Sequence, residues 1–178
     1  MHPHKRNFLL INVLGGLAVL GSYAHGLLTQ PGAGEAMWGG VPLSIRPLYT
    51  VSMLLAAAGY FAYTYYLFFR LDPDNVRLGR RFGFGLFNGL LLSILAFSAA
   101  WMPLTLAMIA RPSWILWLAI RLTLAVVGLA SVGVFAALLA LRPSKPAAAY
   151  WLAIAGTLTF SFQTAVLDAI VWIAYFPV

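Results

Sequence analysis

Five apolar runs, each long enough to cross a bilayer as a helix, occupy most of this chain and leave little from which a water-soluble fold could be built. They cover about 7-28, 48-69, 82-109, 114-141 and 147-176. A helical crossing takes roughly 20 apolar residues. Backbone polar groups at that depth have to bond within their own segment, which selects helices over irregular chain. Composition agrees: 62% of the 178 residues are hydrophobic and 8% are charged, a balance foreign to soluble domains. The expected fold class is an all-α integral membrane protein, one domain over 1-178, built as a five-transmembrane-helix bundle with a long first extramembrane loop.

The net charge of +7 does not point to nucleic acid, because the basic residues sit between apolar runs and not in a patch or stripe. Their partner is the lipid bilayer. Lys5, Arg6, Arg70, Arg77, Arg80, Arg81, Arg142 and Lys145 fall on one side, and Arg46 and Arg111 on the other. The positive-inside rule then places the N-terminus in the cytoplasm, with the C-terminus and the Thr29 to Pro47 loop on the outer side of a multi-pass protein. Lys5 and Arg6 ahead of an apolar run, with Ser22-x-Ala24 beyond, also suit a signal peptide, but the run is longer than a usual h-region and is read as a retained span. With no cysteine, disulfides and thiolate metal sites are excluded. Three histidines, His2, His4 and His25, are too few for a histidine-rich metal or haem site. Asp72 and Asp74 flank a proline in a connector and read as a solvated turn in preference to a metal site.

The fifth run carries an acid, Asp168, within TLTFSFQTAVLDAIVW. At about 100° per residue, Thr157, Ser161, Thr164, Asp168 and Trp172 share one helical face, with Tyr150 on the same line. A carboxylate at membrane depth costs on the order of 2.5–3.5 kcal/mol even on the lenient insertion scale, so a partner or a watery cavity is expected to face it. Arg121 is the one cation inside an apolar run. At about 1.5 Å per residue, Arg121 and Asp168 both lie roughly 12–14 Å below the outer boundary, near the level of Trp101, with His25 somewhat higher. An Arg121 to Asp168 pair follows as an expectation. Two roles stay open for it: lining a ligand site, or fixing helix register. The loop above holds Met37 and Trp38, which suit either an interfacial anchor or a cover over a pocket. The aromatics Tyr60, Phe61, Tyr63, Tyr65, Tyr66, Phe68 and Phe69 read mostly as an interfacial belt, and Gly85-x-x-x-Gly89 with Ser93 as a helix-packing face.

Ala96 to Pro103, AFSAAWMP, resembles a signature of the tryptophan-rich sensory protein (TspO/translocator) family, Ala-Phe-Asn-x-x-Trp-x-Pro, with Ser98 where the family has asparagine. Trp38, Pro42 and Pro47, then Tyr49, Met53, Ala56 and Ala57, are similar to its first loop and the start of its second span. The chain departs from the family in lacking the loop's Trp-x-Pro-Pro core and the basic residue of the fifth-span sterol motif. The resemblance implies a pocket inside five helices, capped by the first loop, that binds tetrapyrroles, sterols or similar flat apolar molecules, often in a homodimer. It adds Tyr49 and Phe97 to a ligand-binding set of Trp38, His25, Trp101, Arg121, Ser161, Thr164 and Asp168.

The expected function is thus a membrane receptor, sensor or carrier for a hydrophobic planar small molecule. No resident cofactor is specified by the residues; a bound tetrapyrrole is what the resemblance allows. The alternative is a membrane enzyme or proton-coupled transporter using an Arg121, Asp168 and His25 cluster. No nucleophile with its base stands at a recognisable spacing, no catalytic residue is assigned, and no internal repeat supports a transporter.

Overall fold

The structure, a computed structural model, describes residues 1–79, 82–141 and 147–176. Five helices are long and apolar enough to cross a membrane, and the described residues contain no strand. Helix α1, Pro3–Thr29, starts earlier than its apolar run because Pro3 occupies the first turn and the His2 side chain accepts from the His4 amide, arrangements that favour a helix start. A short helix, α2 (Ala33–Ala36), sits in the first loop. Helix α3, Arg46–Tyr65, has Pro47 in its first turn and runs on as a π-helical turn, Tyr66–Arg70. Helix α4 covers Gly85–Ala110 and α5 covers Trp114–Leu141. Helix α6, Ala148–Ser161, continues without interruption as an 11-residue π-helix, Phe162–Trp172, and a last turn, Ile173–Tyr175. Four of the residues used for orientation, Arg80, Arg81, Arg142 and Lys145, lie outside the described residues, as does the turn from 142 to 146.

The helices pack in the order α1, α4, α5, α6, α3. The ring is weakest between α3 and α1, which meet at the end carrying Tyr66–Arg70 and through a hydrogen bond from the Tyr60 hydroxyl to Asn12 Oδ1, 2.7 Å. Elsewhere the approach is closest where glycine permits it. Gly59 of α3 faces Gly156 of α6 so tightly that a Cβ on either would strike the other's backbone. Gly128 of α5 lies against Ala165 in the same way. The Gly85-x-x-x-Gly89 face does not play this part: nothing lies within 4 Å of where a Cβ on Gly89 would be.

Two aromatic-rich core clusters fill the bundle ends. One joins Phe8, Tyr63, Tyr66, Phe84 and Phe87. The other joins Tyr49, Trp117, Leu167, Trp172 and Phe176 under the first loop. The expected aromatic belt is therefore split. Phe61, Tyr65 and Phe69 are exposed, whereas Tyr63 and Tyr66 are core, because the helix turns part of any dense aromatic run inward. Asp72 accepts from the Asp74 amide and from Asn75 Nδ2, the turn chemistry read from the sequence, while Asp74 meets His2 at 3.2 Å.

Candidate ligand site

Between the two core clusters lies a cavity of about 560 Å³, walled by all five long helices and roofed by the first loop. Its volume is in the range of small-molecule sites. Apolar surface comes from Val19 and Leu27 of α1, Met53, Ala56 and Ala57 of α3, and Leu124 and Val127 of α5. Aromatic surface comes from Tyr23, Trp38, Tyr49, Trp101, Phe160 and Trp172. The polar groups are few: Ser98, Gln163, Thr164 and Asp168. The flank between α1 and α3, where the ring is weakest, carries the exposed Met53, Leu27 and Ala57.

The roof is tied down by backbone and side-chain bonds that the loop's composition makes possible. Trp172 Nε1 donates to the Met37 carbonyl, 2.9 Å, joining the loop to the last span. The Gly40 amide donates to the Tyr175 carbonyl, 3.0 Å, an approach that leaves no space for a Cβ at Gly40. Trp38 stands edge-on to Tyr49 at 5.9 Å. The Arg46 guanidinium lies 5.2 Å from the Trp38 ring centre, pairs with Glu35 and donates to the Val41 carbonyl. Arg46 thus braces the roof from above and is not a lining residue. Trp38 lines the cavity from the loop side.

The π-helix sets the floor chemistry. Its hydrogen bonds run i→i+5, and such segments recur at functional sites. Here the wider turn brings Gln163 back beneath Asp168, so that Gln163 Nε2 donates to Asp168 Oδ1 at 2.8 Å across a spacing of five. The Tyr49 hydroxyl donates to the Leu167 carbonyl, 2.7 Å, tying α3 to the π-helix. Thr164 Oγ1 bonds to Ser131 Oγ, 2.7 Å. Gln163 Oε1 and Trp101 Nε1 are buried with no protein partner.

The expected Arg121 to Asp168 pair does not form. Arg121 is exposed, on the outward face that also holds Leu118, Leu122 and Leu129, and its guanidinium lies 6.0 Å from the Trp117 ring centre. The cause is helical phase: α5 buries Trp117, Ile120, Leu124, Val127 and Ser131, and Arg121, one step of about 100° beyond Ile120, is carried outward. Depth alone put the two groups at one level, but azimuth separates them. Among the described residues no Lys, Arg or His lies within 4.0 Å of Asp168, and none lines the cavity.

The other expected site residues divide. Trp38, Tyr49, Trp101, Thr164 and Asp168 line the cavity. Ser161 is buried beside it with Oγ unpartnered, outside the lining. Phe97 points outward, 39% exposed. His25 is exposed and borders a separate hollow of about 230 Å³ along the α1–α4 contact, with Pro103 and Gln30. Lining residues absent from the expected site set include Gln163, Tyr23, Met53, Ser98, Phe160 and Trp172. Gln163 was hidden because ideal α-helical phase sets it about 140° from Asp168; only π geometry unites them. Comparison with protein-family models, with curated proteins and with solved structures finds no match.

Proposed function

We propose that this chain is a multi-pass membrane protein that binds a hydrophobic, flat small molecule, sterol- or tetrapyrrole-like in size, in the cavity beneath its first loop, as a receptor, sensor or carrier. The observation that carries this reading is the cavity itself: about 560 Å³ with mostly apolar and aromatic walls, four convergent polar residues and a roof pinned to the last span. That combination suits a ligand site and exceeds what helix packing requires. The resemblance of Ala96 to Pro103 and of the Tyr49 to Ala57 region to the TspO/translocator family points the same way. The competing reading, an enzyme or proton-coupled transporter, depended on Arg121, Asp168 and His25 acting together, and these groups face three different surroundings. A homodimer would place the open face of Gly85 and Gly89 at its interface. The charge asymmetry supports a cytoplasmic N-terminus.

The test is binding of octaethylporphyrin and of dehydroergosterol, which carry no carboxylate, to the full chain in lipid nanodiscs, read by tryptophan quenching or energy transfer. Trp38→Ala should weaken binding about tenfold, the order of one lost aromatic contact with its packing, with the thermal midpoint measured beside it to separate a lost contact from a loosened roof. If neither probe binds, or if both bind Trp38→Ala as tightly as the native chain, the roofed cavity is not a ligand site.

A further inference from the structure

Among the described residues, the cavity's charged content is one-sided. Asp168 is its only ionisable acid, and no cation lines it. The carboxylate has one protein donor, Gln163 Nε2. Gln163 is itself 5% exposed and its Oε1 has no donor at all, so two neighbouring acceptors of the floor want hydrogens that the protein does not supply. Tyr23, Trp101 and Trp172 line the same cavity, with the Tyr23 and Trp172 rings centred 5.8 and 5.6 Å from the Trp101 ring, and Trp38 meets Tyr49 edge-on at the roof. A lone carboxylate in an aromatic-walled cavity attracts a cation by charge, and any ring face within about 6 Å of that cation adds to the attraction. The same surroundings repel an anion, since no basic group is present to meet it.

We infer that the ligand of this cavity is an apolar amine: a flat hydrophobic body lying against the aromatic walls and carrying a protonated amino group that donates to Asp168 and Gln163. This rests on the reading of the cavity as a ligand site and narrows it, setting carboxylate-bearing molecules aside. The amine replaces the missing cation partner of Asp168, which explains how an acid is kept in an apolar helix without Arg121.

Three probes of equal ring system separate the possibilities: pyrenemethylamine, pyrenemethanol and pyrenecarboxylate, each titrated into the full chain in phosphatidylcholine nanodiscs, with empty discs subtracted. The Ala57→Trp variant, which fills the exposed mouth of the cavity, identifies the signal that comes from inside. The amine should bind about ten- to a hundredfold more tightly than the alcohol, the range of a charge-assisted over a neutral hydrogen bond, and the carboxylate most weakly. Asp168→Asn should erase the amine's advantage and leave the alcohol's affinity in place. Because the ranking is read on the native chain, it stands even where Asp168→Asn folds poorly. If all three bind equally and are all displaced by Ala57→Trp, the cavity is a ligand site and the amine assignment is wrong. A carboxylate that binds best has the same meaning. If no probe shows binding sensitive to Ala57→Trp, both readings fall.

Discussion

Replacing Gly59 by alanine isolates the contact on which the shape of the cavity depends. Gly59 and Gly156 are the point where α3 and α6 cross, and each glycine's missing side chain is occupied by the other's backbone. A Cβ on Gly156 would stand 2.6 Å from the Gly59 carbonyl oxygen, and one on Gly59 closer still to that of Gly156. Ordinary contact begins at 3.4 Å, so the two helices must part by nearly an ångström along a seam that also holds the Thr159 to Leu55 hydrogen bond. Backbone cannot rotate away as a side-chain tip can. Overpacking of this kind costs about 1–3 kcal/mol, which for a chain of this length lowers the thermal midpoint by about 2–12 °C. The seam continues into the cavity, with Ala56 one turn along α3 and Phe160 one turn along α6, so the same change should widen the cavity and weaken ligand binding. Gly89→Ala, where nothing lies within 4 Å, is the control and should shift the midpoint by less than about 2 °C, the scale of an ordinary surface substitution. The measurement is thermal unfolding in detergent of Gly59→Ala, Gly156→Ala, their double variant and Gly89→Ala. The two seam changes address one contact, so their combined cost should be clearly less than additive. A Gly59→Ala midpoint equal to that of Gly89→Ala would refute the crossing.

Two other outcomes follow from the placement of charge. A membrane-impermeant maleimide applied from outside should label Leu43→Cys, 76% exposed in the first loop, and spare the exposed Asn75→Cys in the opposite connector; the cysteine-free background makes the reverse pattern decisive against a cytoplasmic N-terminus. Arg121→Leu should leave stability within about 0.5 kcal/mol of native, as for an outward side chain without a buried partner. A loss of the 3–5 kcal/mol typical of a broken buried pair, measured by the same thermal unfolding, would mean that Arg121 does meet an acid.

The distance between what sequence and structure say about Asp168 is a matter of angle. Element order and length were legible, because length and apolarity decide which segments can be spans, and caps such as Pro3 and Pro47 moved the ends by only a few residues. Azimuth was not, for two separate reasons. In α5 the outward face is as apolar as the inward one, Leu118, Leu122 and Leu129 against Ile120, Leu124 and Val127, so a two-class hydrophobic pattern cannot say which side Arg121 takes; the small and hydroxyl residues Thr123, Gly128 and Ser131 on the buried face were the usable signal, because in an apolar solvent close approach and hydrogen bonding mark the interior better than hydrophobicity. In α6 the polar face read at 100° per residue holds through Thr164, Asp168 and Trp172, which line the cavity, but the π-helix entered at Phe162 adds Gln163 to it, which that periodicity excludes. That geometry is what brings Gln163 to the carboxylate, while α5 turns its cation outward. One oxygen of the acid is therefore answered from its own helix, by geometry that an ideal periodicity excludes, and among the described residues its other oxygen has no protein donor.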